Sequence, residues 1–358
     1  MNNYRVVYIT SRGGTVPVRK IYMDSVGADY QFVDHKLRWH DVSTSSWKKY
    51  LSWVVCAVTF PGRDKYDIFI SSGQHYMPVL MKWMKLLRKD QKLVCYQGNE
   101  TLFFLKSGKY SKLATKALRW QLRQYDIHIC LSKLQAQLLQ KAVGNDIEYY
   151  CIFNGVEGDK LAYLKCIKPN LDKFNILFIG NLYVGWRSWY KGIDLLLSVF
   201  QKLKNDFPEA HLTIVGQVTE SIMSDLQQTY PIKLLNSIQF AGKVDNLEPY
   251  ISQSSIYLHL ARGEAFGSAI IEAMAGGLIP VVSEWTGAKE VVEKIDKTLV
   301  VPLDVKEAYE KVKHVWRLSN EEKKRISEEG RALILKEYTI EKATDRFQEV
   351  IEDIGKSN

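Results

Sequence analysis

The chain has 358 residues, of which 46% are hydrophobic and 25% charged, with a formal net charge of +9. This length suits two domains of ~100–200 residues each, and the composition excludes wholesale disorder and a collagen-like or low-complexity chain. The longest apolar run, Leu51–Phe60, has ten residues, against the ~18–20 that a membrane-spanning helix needs.

The amino terminus, MNNYRVVYITSRGG, lacks the charged-then-apolar layout of a signal peptide and reads directly into a strand. Arg5–Thr10 predicts that strand, and a glycine loop at Gly13-Gly14 follows it. Asp67–Ser71, Leu93–Tyr96 and Asp126–Leu131 are further short apolar or β-branched runs, and Cys151–Phe153 is a last one. Between them lie stretches of helical length, Trp47–Phe60, His75–Lys89 and Ser111–Tyr125. Such alternation predicts a parallel sheet wrapped by helices. The segment Cys166–Lys173 has little periodicity and reads as a linker.

A second α/β series then begins with strand Asn175–Gly180 and a helix over Gly192–Asn205, whose Ile193, Leu196, Leu197, Phe200 and Leu203 share one face. Strands are expected at Leu212–Gly216, Ser237–Gly242, Ile256–Leu260 and Ile279–Ser283, with helices at Glu220–Thr229 and Gly267–Gly276. Ile340–Ile354 is a final amphipathic helix. The expected organisation is therefore a first domain over 1–165, a second over 174–338 and a closing helix over 339–358. Both domains read as Rossmann-like α/β units, facing a cleft.

Charge is unevenly spread. Residues 1–165 hold 25 Lys and Arg against 13 Asp and Glu, a balance of +12, whereas 166–358 balance at −3. A basic first half suggests an anionic partner. The chain shows no helix-turn-helix, zinc-finger or RNP-type signature, so nucleic acid is not expected; a membrane surface or a phosphate-bearing substrate fits better. The five cysteines, Cys56, Cys95, Cys130, Cys151 and Cys166, are odd in number and widely spaced, as in a reduced cytosolic protein.

The densest chemical constellation is Arg262 to Met274, RGEAFGSAIIEAM, at the junction of a strand with a helix. Open α/β sheets bind ligands at such junctions. Gly267 and Ser268 open the helix, so backbone N–H groups there suit a diphosphate. Glu264 precedes the helix and Glu272 falls in its second turn; a carboxylate's paired oxygens match the vicinal diol of a ribose. His259 lies on the strand that leads to Glu264, whereas His128 sits mid-strand, where a satisfied structural histidine is the ordinary case. No H-E-x-x-H, D-x-D or Cys/His cluster is convincing, and no catalytic metal is expected.

With these motifs the sequence resembles the retaining, nucleotide-sugar-dependent glycosyltransferases of glycosyltransferase family 4, which have the two-domain GT-B fold. Glu264 and Glu272 meet the family's Glu-x7-Glu pattern, Lys191-Gly192 its Lys-Gly helix start, and Asn154-Gly155-Val156 its Asn-Gly-Val turn. Gly13-Gly14, Phe240 to Val244, Pro280-Val281-Val282 and Thr286-Gly287 with Glu290 agree as well. The match is clear from about Asn175 to Val301 and looser before it. The resemblance implies a closing helix that returns to the first domain, Glu272 on the donor ribose, and Glu264 on the transferred sugar or its phosphate. It places Lys191 on the diphosphate, with Phe266, Gly267, Ser268, Gly14, Gly242, Val244 and Asn181 around the donor. The donor would be a UDP- or GDP-linked sugar, with no other cofactor.

Two positions depart from the family pattern. Asn181 stands where an arginine is usual; Arg187 is placed to supply a guanidinium, or else packs on its aromatic neighbours. Gln97 stands where many members have a histidine, and glutamine cannot shuttle a proton near pH 7. Gln97, Asn99 and His128 are the acceptor-side candidates.

Lys106, Lys109, Lys112, Lys116, Arg119 and Arg123 recur at three- and four-residue spacing near Phe103, Phe104, Tyr110 and Trp120. Such a basic face suits an anionic lipid surface or a lipid-linked acceptor. The expected protein is a cytoplasmic enzyme, peripheral at the inner face of the membrane, which transfers a sugar with retention in polysaccharide or glycolipid assembly. The alternatives are an inactive binding subunit of the same fold and a nucleotide-sugar epimerase or phosphorylase.

Overall fold

The computed structural model describes residues 4–11, 17–33, 48–73, 76–183 and 185–357. Gly13, Gly14, Trp47 and His75 lie outside the described residues. The chain divides into one unit of Met1–Asn154 with Ile340–Asn358, and a second of Gly155–Thr339.

In the first unit the described strands are β1 (Val6–Ser11), β2 (Asp29–Val33), β3 (Ile68–Ser72), β4 (Lys92–Tyr96), β5 (Ile127–Cys130) and β6 (Glu148–Cys151). They form one parallel sheet in the order β2-β1-β3-β4-β5-β6. The central strands are buried along their length, as befits a parallel sheet covered on both faces. The edge strands are those that apolar patterning underpredicts. In β2, Phe32 is exposed, and β6 is the polar-flanked run Glu148-Tyr149-Tyr150-Cys151, half-buried at best, so it precedes the Cys151–Phe153 stretch expected as strand. The closing helix, Ile340–Lys356, packs on this unit. Phe347 stacks on Tyr22 with centroids 5.5 Å apart, and Gln348 donates to the Ser25 carbonyl at 3.0 Å.

The second unit has β7 (Asn175–Ile179), β8 (His211–Val215), β9 (Ile238–Gly242), β10 (Ile256–His259), β11 (Ile279–Ser283) and the two-residue β12 (Val300–Val301). Their order, β12-β11-β10-β7-β8-β9, is the doubly wound Rossmann arrangement, with its switch point between β7 and β10. The stretch Cys166–Lys173, read as a linker, lies within this unit: Asn170 N–H donates to the Ser252 carbonyl at 3.1 Å. The helix Gly158–Leu164, which sequence reading assigns to the first domain, also packs here, against the helix Ser268–Ala275. Val156 pairs with Thr339, so this unit's two chain ends lie side by side.

Candidate active site

Crossing of the chain between β7 and β10 opens a ligand site at the carboxyl ends of these strands. The loop from Leu260 to Gly267 leaves β10 at that point and is pinned on both sides. Glu264 N–H donates to the Trp285 carbonyl at 3.0 Å, and the Glu264 carbonyl accepts from Gly287 N–H at 3.0 Å. Arg262 makes a two-pronged pair with Asp194 at 2.6 and 2.7 Å and lies over the Trp189 ring. Fixed at both ends, the loop holds Glu264 in one place.

Lys191 reaches Glu264 through a close backbone approach. Gly192 has φ +70°, and a Cβ there would lie 1.9 Å from the Leu260 carbonyl oxygen. Only glycine lets the two segments touch, which gives the Lys-Gly pair a steric cause. Lys191, 9% exposed as a residue, then forms an ion pair with the Glu264 carboxylate through its ammonium. His259 Nε2 stands 3.5 Å from the same carboxylate, and the Tyr257 hydroxyl and His259 Nδ1 are hydrogen-bonded at 3.1 Å. Burial alone would push the Glu264 carboxyl up, but the Lys191 charge and His259 outweigh it and hold the group well below the usual carboxylate range. Burial lowers the His259 pKa, which favours the neutral imidazole.

Gly267 begins the next helix at φ +97°, where a Cβ would press on Ile270 and Glu264. The helix Ser268–Ala275 has no acidic residue in its first turn, so its N-terminal end presents N–H groups and a positive dipole. Phe266 is 1% exposed; its ring belongs to the core, and what it offers a ligand is backbone. Glu272, a turn further on, is largely buried and pairs with Lys160 at 2.8 Å. Burial raises its pKa, and Lys160 works against that rise. Sequence reading missed Lys160 because its helix appeared to belong to the first domain.

The remaining donor candidates are spread along the same sheet edge. Asn181 follows β7, and its Oδ1 accepts from Gln217 N–H at 2.9 Å, tying two strand-end loops together. Gly242 ends β9 at φ +71°, with Val244 just beyond. Arg187 lies on the helix Gly185–Tyr190, its guanidinium 5.2 Å from the Tyr183 ring centroid. Among the described residues, no group of three His, Cys, Asp or Glu is arranged to hold a metal ion.

In the first unit the acceptor-side candidates separate. Gln97 and His128 are both 0% exposed. His128 Nε2 donates to the Leu122 carbonyl at 3.0 Å and Nδ1 accepts from Gln97 Nε2 at 3.0 Å. Burial lowers the His128 pKa to about 4, so it is a neutral core group. Both side chains are therefore covered: Gln97 directly follows β4, and His128, the second residue of β5, is the satisfied structural histidine that its mid-strand position suggests. Asn99 sits past β4 at the sheet's carboxyl edge, with Nδ2 against Gly73 and Oδ1 accepting from Thr101 N–H. Arg19 reaches the same edge, donating to Ser72 Oγ at 3.0 Å and to the Gly98 carbonyl at 2.8 Å; no sequence signal marked it.

Two Rossmann-like units, with the closing helix returned to the first, constitute the GT-B class of glycosyltransferase fold. Solved structures agree over the whole chain. Sucrose-phosphate synthase from Thermosynechococcus elongatus superposes with a TM-score of 0.73 at 15% identity, covering 99% of this chain and 100% of that one. Anabaena HepE, solved in complex with UDP and glucose, gives 0.72 at 16%, covering 98% and 100%. Residues 168–333 match the family model described as glycosyl transferases group 1. An uncharacterized glycosyltransferase of Methanocaldococcus jannaschii is 27% identical over 242 residues, 63% of this chain and 60% of that protein. The gpi3 subunit of phosphatidylinositol N-acetylglucosaminyltransferase from Schizosaccharomyces pombe is 27% identical over 201 residues, 55% and 42% respectively. A phosphatidyl-myo-inositol mannosyltransferase of Mycolicibacterium smegmatis is 28% identical over 184 residues, 49% and 44%. The matches thus span between two fifths and three fifths of these relatives.

Proposed function

We propose that this protein transfers a sugar from a nucleoside-diphosphate sugar to an acceptor hydroxyl, with retention of configuration. The observation that carries the reading is the buried Lys191–Glu264 pair beside the N-terminal end of the helix Ser268–Ala275, at the switch point of the second sheet. Breaking the sugar–phosphate bond leaves negative charge on the diphosphate. A fixed ammonium and helix N–H groups stabilise that charge as it forms. Glu272 accepts from the ribose hydroxyls, and Glu264 accepts from the transferred sugar while it orients Lys191. Gly242, Val244 and Asn181 complete the donor's surroundings in this unit, and Arg187 adds a second cation. In a front-face displacement the acceptor oxygen bonds to the anomeric carbon as the phosphate oxygen departs. The departing phosphate takes the acceptor's proton, so neither a histidine at position 97 nor a metal is required.

The acceptor is lipid-linked or lies on an anionic membrane, as in glycolipid or cell-surface polysaccharide assembly. Support comes from the first unit's surface. Lys106, Lys109, Lys112, Lys116, Arg119 and Arg123 are all exposed, and Leu113 and Trp120 stand among them at 74% and 42% exposure. Lys106 and Lys112, Lys116 and Arg119 lie on two helices, Thr101–Lys106 and Lys112–Leu122, with Lys109 between the helices and Arg123 just past the second; the inner faces are buried through Leu102, Phe103, Leu118 and Leu122. A lipid surface takes up such a mixture of cations and apolar side chains. Relatives named for phosphatidylinositol substrates support the same acceptor class. On this reading the protein is a peripheral enzyme of the cytoplasmic face, held by that basic surface; no described helix is long and apolar enough to cross a membrane.

The test is a thermal-shift screen of UDP- and GDP-sugars, because a ligand that binds only the folded state raises its apparent stability. One nucleotide class is expected to raise the melting temperature. A flat response to all of them would overturn the reading in favour of a non-catalytic binding subunit.

A further inference from the structure

Lys160 belongs to none of the motifs that mark the site, yet it is the cationic partner of Glu272. The helix Gly158–Leu164 packs on the helix Ser268–Ala275, and the Lys160 ammonium meets Glu272 Oε1 at 2.8 Å. The Glu272 side chain is 15% exposed and that of Lys160 33%. Surroundings of this kind otherwise oppose a charged carboxylate. Glu157 adds a second negative charge from the same segment, and the Tyr163 and Tyr257 phenols lie within the field of Glu272. From the helix Asn320–Glu337, Arg331 is spent on the carbonyls of Ala275 and Gly276.

We infer that Lys160 is a positioning residue for donor recognition, holding Glu272 ionised and oriented so that its carboxylate accepts from both hydroxyls of the donor ribose. The inference rests on the donor-ribose role proposed for Glu272. A carboxylate has about four lone-pair positions, so one can stay with Lys160 while two take the diol. The ion pair therefore persists in the bound state and is not a latch that the donor must break. If Lys160 is replaced by a neutral residue, burial and Glu157 act on Glu272 unopposed and its carboxyl titrates at higher pH. A protonated carboxyl loses acceptor capacity, so ribose recognition weakens at low pH and returns as pH rises.

Isothermal titration of UDP and GDP, each against its 2′-deoxy form, at pH 6.5 and pH 9 tests this. The native protein is expected to prefer the ribose form of one base about equally at both values. Lys160→Met should weaken that nucleotide about tenfold at pH 6.5, erase the preference over the deoxy form there, and regain much of both at pH 9. Lys160→Arg should restore them. In the double variant with Glu272→Gln, the loss should be no greater than in Glu272→Gln alone. Thermal unfolding of each variant, run alongside, separates a failure to fold from a failure to bind. An unchanged affinity and pH profile in a folded Lys160→Met, with binding weakened in Glu272→Gln, would overturn the inference alone. Unchanged binding and ribose preference in Glu272→Gln would overturn the donor-ribose reading on which it stands.

Discussion

At the scale of single residues, the chain gives each glutamate of the second unit its own lysine: Lys191 for Glu264 and Lys160 for Glu272. The Glu-x7-Glu spacing was legible because both acids lie on one strand–helix junction. Lys191 was legible through its glycine. Lys160 was not, because it is more than a hundred residues from its partner in sequence and only packing brings the two together. The histidines divide similarly: a mid-strand position told of a structural His128, but only tertiary contact shows His259 facing Glu264. Both are buried, which favours the neutral form and predicts acid sensitivity. A histidine whose folded pKa is lowered contributes stability that is full above its unfolded value of 6.5 and is lost as pH falls toward the folded value. For His128 the window runs from 6.5 to about 4, worth roughly 3 kcal/mol in all. Glu264, held low, adds stability present above 4.5 and lost at still lower pH. Urea unfolding at pH 7, 6, 5 and 4 should give a midpoint that drops steadily below pH 6.5, and a constant midpoint down to pH 4.5 would contradict the assignment.

At the scale of elements, glycines decide where segments approach. Gly192 combines a left-handed backbone with contact against the Leu260 carbonyl. Gly192→Ala is expected to cost more than about 2 kcal/mol, because both the backbone conformation and the contact are lost. Gly185→Ala, which meets no atom within 4 Å, should stay within about 0.5 kcal/mol. Denaturant midpoints of the two variants measure the contrast; equal midpoints would show that the Lys191 loop has room to yield. Strand prediction followed the same logic of packing. Central strands such as β10 and β11 are buried throughout and read as apolar runs. The edge strands β2 and β6 carry mixed residues, and only their hydrogen-bonded neighbours define them.

At the scale of the whole molecule, the charge separates with the units. The first unit, including the closing helix, holds 26 Lys and Arg against 16 Asp and Glu, and the second 23 against 24. The excess is concentrated in the unit whose exposed face carries Leu113 and Trp120 among six cations. Cosedimentation with vesicles that contain phosphatidylserine should therefore exceed that with phosphatidylcholine alone. It should also fall as salt is raised from about 0.1 to 0.5 M, where charge attraction is screened. Reversing Lys112, Lys116 and Arg119 to Glu should lower the partition more than tenfold, since each basic residue near such a surface contributes about 1 kcal/mol. These side chains are exposed, so the melting temperature should hold. Equal binding to both vesicle types would remove the membrane from the proposal.

The sequence by itself determined the class of fold, the two acids, the Lys-Gly start and the placing of positive charge in one half. Each depends on local periodicity, on spacing within one strand–helix junction, or on composition. Tertiary structure decided which unit the helix Gly158–Leu164 joins, that Gln97 and His128 face each other in a core, and that Lys160 and His259 serve the two glutamates. Burial and ion pairing join residues distant along the chain, and the spacing of residues along a chain carries no record of which distant segment will come to lie against them.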